Sequence, residues 1–158
     1  MDPMFEFVLL IKAVARELER RMNEAMQPLG LTAAQADALA VIGQAQPIGL
    51  RELGDLLIAE GGHPSRLVDR LVETGLVERR APAADRRRIE LSLTAEGTRL
   101  REHVLEIRRA LVGGAREMLP AQDVEPGLRL LRELVRFTSF SELIDRRRGL
   151  AGDDHAVI

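Results

Sequence analysis

The chain has 158 residues, with 23 Lys and Arg against 25 Asp and Glu for a formal charge of −2, and no cysteine. That length suits one domain able to bury roughly 68–70% of its unfolded surface without staples, and the missing thiols exclude disulfides, thiolate metal sites and cysteine nucleophiles. Four Phe with no Trp or Tyr provide no stacking platform for single-stranded nucleic acid, and no apolar run reaches the length of a membrane span.

Residues 5–11 follow an acid, Asp2, and run into ArgGluLeuGluArgArg instead of a small-residue cleavage site, so no signal peptide is expected and the chain is placed in the cytoplasm. Phe5, Val8, Ile11, Ala15, Leu18, Met22 and Met26 keep near-helical steps until Pro28 and Gly30 stop them, which predicts one long amphipathic helix over residues 5–26. Thr32 with Gln35 forms a capping box ahead of a second helix running through Leu39 and Ile42 toward Pro47. A short third helix is expected over residues 51–59, with Leu53, Leu56 and Leu57 inward and Gly61 in its C-terminal turn.

In the next segment Ser65, Arg66, Asp69, Arg70 and Glu73 recur at three- and four-residue steps opposite Leu67, Val68, Leu71 and Val72, so one face packs and the other is free to read. Pro64 is tolerated if this helix begins near Glu60 or Gly61, because first-turn amides lack intrahelical partners. With the third helix as brace, the pair makes a helix-turn-helix whose second member enters the major groove. Residues 76–80 and 88–93 then read as two strands joined by AlaProAlaAlaAspArgArg. Five arginines, Arg79, Arg80, Arg86, Arg87 and Arg88, crowd this hairpin against Glu78 and Asp85, a locally positive wing on a slightly acidic chain.

Thr94 is the expected N-cap of a long helix carrying Leu100, Val104, Ile107, Leu111 and Met118 and ending at Pro120. A last helix from about Asp123 sets Leu130, Leu134, Phe137 and Ile144 on one line with Leu128, Leu131 and Val135 beside it. That is more apolar surface than one solvent-facing helix carries, and it points to a partner chain. Arg146, Arg147 and Arg148 read as complements to a helix dipole, and residues 149–158 as a frayed tail. His63, His103 and His155 are far apart with no ligand cluster around them, so no metal site is expected; His103 reads as a packed or interfacial residue. No nucleophile grouping or phosphate loop stands in a supporting context, which argues against an enzyme and against any cofactor.

These elements and residues together resemble the MarR family (multiple antibiotic resistance regulators) of winged-helix transcription factors. The likeness rests on LeuThrAlaAlaGlnAlaAspAlaLeu, ArgGluLeuGlyAspLeuLeu, SerArgLeuValAspArgLeuValGluThrGlyLeuValGluArg and AspArgArgArgIleGluLeuSerLeuThrAlaGluGly, in the family's order and spacing over residues 31–97. The resemblance implies a mostly α fold: a winged helix-turn-helix with a two-stranded wing, flanked by long N- and C-terminal dimerisation helices. It divides the single domain of residues 1–158 into a DNA-binding lobe, 31–97, a helical dimerisation region, 1–30 and 98–148, and the tail. It also implies a homodimer on double-stranded DNA, most often a repressor on a pseudo-palindrome, released by a small-molecule effector.

Residue by residue, the resemblance places Ser65 and Arg66 in the major groove with Arg70 one turn along. It places Arg87 in the minor groove with Asp85 holding its orientation. Arginine's planar fork suits guanine O6 and N7, and its long cation suits a narrow minor groove, which supports these roles on physical grounds. Arg79, Arg80, Arg86 and Arg88 are expected on phosphates, which position without specifying sequence. His63 and Pro64 replace the small or aliphatic residues usual in the family. His63 either donates to a base or phosphate or sits in water at the helix start. Two rival readings stand beside the regulator: a winged helix whose wing binds an acidic protein, and a non-specific architectural DNA binder.

Overall fold

The computed structural model describes residues 1–59, 64–81 and 89–151. His63, Asp85, Arg86, Arg87 and Arg88, all expected at the DNA, lie outside the described residues, as do residues 152–158 of the expected tail.

The first helix, α1 (Pro3–Met26), starts earlier than its apolar stripe because Asp2 caps it, accepting from the Met4 and Phe5 amides at 2.8 and 3.2 Å. After a single turn of 3-10 helix, Gln27–Leu29, Gly30 takes the left-handed conformation (φ 70°) that ends the element. The capping box forms as expected: Thr32 Oγ1 accepts from the Gln35 amide and Gln35 Oε1 from the Thr32 amide, opening α2 (Ala33–Ala45). This helix is the centre of the lobe. Ala36, Ala38, Leu39, Ala40, Val41 and Ile42 are all buried.

Ile48–Gly49 form β1, a strand that the two-stranded expectation did not include. It pairs antiparallel with β3 (Glu90–Leu93), which also pairs with β2 (Val77–Arg80), so the sheet has the order β1-β3-β2. Two residues give no periodicity; what places them is Ile48 opposite Leu91, both buried. The end of α2 is tied to the same sheet by Gln46 Oε1, which accepts from the Leu93 amide at 2.7 Å.

The bracing helix, α3 (Leu50–Gly54), is shorter than the expected 51–59. Beyond Gly54 the chain turns more tightly, Leu56 and Leu57 bonding back three residues to Leu53 and Gly54 at 3.0 and 3.3 Å. That tightening still turns Leu53, Leu56 and Leu57 into the core, as their spacing required. The reading helix is α4 (Pro64–Glu73). Gly75 (φ 73°) closes it, with the Gly75 and Leu76 amides bonding to the Val72 and Leu71 carbonyls at 2.9 Å each.

Thr94 caps α5 (Ala95–Met118) through the Gly97 amide at 3.0 Å. A Cβ on Gly97 would stand 1.9 Å from the Leu76 carbonyl oxygen, so only glycine lets the start of α5 rest on the strand that begins the wing. Of the α5 stripe, Val104 is buried and Leu100 and Ile107 pack on the core, whereas Met118 is exposed. His103 is not packed within the chain: it is exposed beside Glu106.

The single last helix expected from Asp123 is two, α6 (Ala121–Val135) and α7 (Ser141–Ala151). Between them Thr138 Oγ1 donates to the Val135 carbonyl at 2.7 Å and accepts from the Phe140 amide at 3.2 Å, so its hydroxyl competes with the helical ladder. The break sends α7 back onto α2, where Leu143 is buried and Gln44 Nε2 donates to the Leu150 carbonyl at 2.6 Å. Residues 149–151, expected in the frayed tail, are therefore the last turn of a docked helix.

Candidate DNA interface

The polar face of α4 is presented as its spacing predicts. Leu67, Val68 and Leu71 are buried, while Ser65, Arg66, Asp69 and Arg70 are exposed. Pro64 stands at the start of the described helix, half-buried, where a missing amide hydrogen costs least. The strand β2 leaves α4 through Gly75, and Arg79 comes to lie beside the helix, with Arg80 one residue further along the strand.

Charge on this surface is more balanced than the arginine count suggests. Arg79 reaches back from the wing to Asp69 of α4 at 2.5 Å. Arg70 pairs with Glu73 at 3.3 Å, and Arg80 with Glu78 at 2.7 Å. Arg66 alone among the four described arginines of the site has no ion-pair partner. All of these pairs are open to water, where such contacts contribute about 0–1 kcal/mol. The acids therefore hold these guanidinium groups only weakly. The neighbourhood of Asp69 to Arg79 was not legible in the spacing, because the residues lie on different elements.

Sequence reasoning also missed Arg108 and Arg147. Both are buried and both bond Asp37 of α2, at 3.0 and 2.7 Å. The signal was present: each arginine sits four residues after an apolar core residue, Val104 and Leu143, within a stripe that otherwise packs. Arg147 is thus no simple complement to a helix dipole, whereas Arg146 and Arg148 are exposed and pair with Asp55 and Asp145 at 3.4 and 3.9 Å.

A model of winged helix DNA-binding domains matches residues 31–97. A cysteine-to-serine mutant of Escherichia coli MarR, solved in complex with operator DNA, superposes with a TM-score of 0.74 at 31% identity, covering 85% of this chain and 99% of that one. The chain belongs to the MarR family. The chain is also similar to the HTH-type transcriptional repressor MdtR of Bacillus subtilis, 26% identical over 146 residues, which are 92% of this chain and 94% of that protein. CouR from Rhodococcus jostii, solved bound to p-coumaroyl-CoA, is 26% identical with a TM-score of 0.67, over 84% of this chain and 93% of that one. Membership of the MarR family, with this fold and this exposed helix, makes the chain a sequence-specific DNA-binding transcriptional regulator. Among the described residues no helix is long and apolar enough to cross a membrane.

Proposed function

We propose that the chain acts in the cytoplasm as a homodimeric repressor that covers a pseudo-palindromic operator, with half-sites about one helical turn apart. The observation that carries this reading is the solvent-facing row of Ser65, Arg66 and Arg70 on a helix whose other face is core. Arg66, unpaired, reads base edges; Arg70 follows one turn along; Arg79 and Arg80 exchange their carboxylates for phosphates. We infer further that Arg87 enters the minor groove with Asp85 as its orienting carboxylate, that Arg86 and Arg88 meet phosphates, and that His63 and Pro64 belong to the same DNA contact.

Residues 31–97 form the DNA-binding lobe, and residues 1–30 with 98–148 hold the dimer. Support for the second copy comes from apolar surface that one chain leaves uncovered. Phe5, Val8, Leu9 and Ile11 of α1 are exposed, none of the α6 side chains is buried, and Leu130 and Leu131 keep 49% and 50% of their surface in water. The activity is binding rather than catalysis. A small molecule that prefers a DNA-incompetent spacing of the two lobes releases the operator, since a ligand shifts an equilibrium only by its differential affinity.

The test is selection of a preferred duplex from a random pool, then fluorescence anisotropy of the winner against a scrambled duplex at about 0.15 M salt. A palindromic winner bound about a thousandfold more tightly establishes the reading. Equal binding leaves an architectural protein, and no binding directs attention to an acidic protein partner.

A further inference from the structure

Within the lobe, the described arginines divide by what they hold. Arg70, Arg79 and Arg80 each hold a carboxylate, of Glu73, Asp69 and Glu78. Arg66 holds none, and neither does Arg51 of α3, among the described residues. Arg51 is exposed, while Leu53, two residues on and nearly opposite around the helix, is buried. An acid is at hand for it: Asp55 lies four residues along, one turn further on the same side. That carboxylate is taken by Arg146 of α7, at 3.4 Å, which leaves the Arg51 guanidinium in water.

The strand β1 fixes where this cation stands. Gly49 pairs with Glu90, and Glu90 with Arg80, so one row of residues crosses the sheet from β1 to β2. Neighbouring strands lie about 4.8 Å apart, which puts Gly49 about 10 Å from Arg80, and Arg51 follows Gly49 by two residues. A DNA strand carries a phosphate about every 3.4 Å along the helix axis. The start of α3 therefore lies within about three phosphates of the wing strand.

We propose that Arg51 is a further DNA contact, which binds a backbone phosphate beside those met by the wing and extends the footprint onto the bracing helix. The element selects phosphate over base: in a helix-turn-helix the second helix lies in the groove while the first crosses the backbone. Such a contact fixes register and orientation without reading sequence. Arg51 gives up no protein carboxylate to make it, unlike Arg79. The inference rests on the DNA-binding reading of the chain, and its test separates the two.

The experiment is fluorescence anisotropy of the full-length protein on the selected duplex and on a scrambled one, over a series of salt concentrations. Arg51→Gln is expected to lower the salt slope by about 0.9 per subunit, which is about fivefold in affinity per subunit at about 0.15 M salt when referred to about 1 M. The loss should be similar on both duplexes, and the selected base preference should not change. Arg51→Lys keeps the charge and should keep the slope, since lysine also binds phosphate. Arg116→Gln removes an exposed, equally unpaired charge from α5 and should leave the slope as it is. Neutral methylphosphonates, placed one at a time in the selected duplex, then locate the contact: one position in each half-site should weaken the natural chain and leave Arg51→Gln unaffected.

An unchanged slope in Arg51→Gln would overturn the contact and leave Arg51 a solvated cation. An equal fall in Arg116→Gln would overturn it too, because the charge of the whole molecule would then be the cause. A changed base preference would make Arg51 a base reader instead. A natural chain that does not prefer the selected duplex would remove the DNA-binding reading, and this contact with it; a chain that keeps its preference while Arg51→Gln changes nothing removes the contact alone.

Discussion

Asp69 is an acid on the face that meets DNA, and replacing it should tighten operator binding. It holds the Arg79 guanidinium at 2.5 Å, with side chains 51% and 37% exposed. A pair this open contributes roughly 0.2–1 kcal/mol. Arg79 gives that up when it turns to a phosphate, and the released carboxylate is left facing the negative backbone. Asp69→Asn removes both penalties and keeps the side-chain shape. At the upper end, about 1 kcal/mol per subunit is about fivefold, and two subunits on a pseudo-palindrome reach about 25-fold. The gain should be larger at about 0.05 M salt than at about 0.15 M, where charges more than about 8 Å apart are screened. Fluorescence anisotropy on the selected duplex at both concentrations reads it. Unchanged or weaker binding at both would refute the exchange and make Arg79 a brace that holds the wing against α4. The salt slope gives a second check: Arg79→Ala should lower it by about 0.9 per subunit if the guanidinium meets a phosphate.

Arg66→Ala should cost about 1–3 kcal/mol of specific affinity and flatten the preference at one or two base pairs, read by repeating the duplex selection; an unchanged preference sinks the base contact. Arg87→Ala should weaken sites with narrow A·T flanks most, and equal losses on G·C flanks would reduce Arg87 to a phosphate contact. Gly97→Ala drives a methyl against the Leu76 carbonyl at 1.9 Å and should lower stability by about 1–3 kcal/mol or more. Thermal melting at fixed protein concentration checks it, and an unaltered Tm would contradict the close approach. Glu17, hydrogen-bonded by Arg20 and then Arg21, has its carboxyl pKa lowered from 4.5 to about 2. Because the folded value is depressed, its contribution is complete above the ordinary carboxylate range and disappears as pH falls through about 2. Carbon NMR of the Glu17 carboxyl should titrate near 2, and Arg20→Gln should return the midpoint toward 4.5; a midpoint indifferent to that change would contradict the pairing.

Much of the lobe was legible because its signals are local. The Thr32 and Gln35 box spans four residues, the α4 faces repeat every turn, Thr94 caps its own helix, and β3 alternates along its length. Each is a contest between neighbouring backbone groups and water, settled within one or two turns of chain. The polar face of α4 is also the candidate site, so the exposure of Ser65, Arg66 and Arg70 could be read from their steps alone.

What the tertiary structure decided lies between residues distant in sequence. Ile48–Gly49 becomes a strand only because Leu91 and Glu90 come alongside. The break after Val135 is foreshadowed by Thr138, but the direction α7 takes is set by Asp37 and Gln44 of α2. Arg108 finds Asp37 across 71 positions and Arg147 across 110. Periodicity shows that a side chain points inward and is silent about the charge waiting there. The same holds at the DNA face, where composition counts arginines and only the folded chain shows which of them already hold a carboxylate. Local hydrogen bonding and the hydrophobic period determined the elements of this protein; long-range pairing of charge, strongest where water is excluded, decided how its arginines are used.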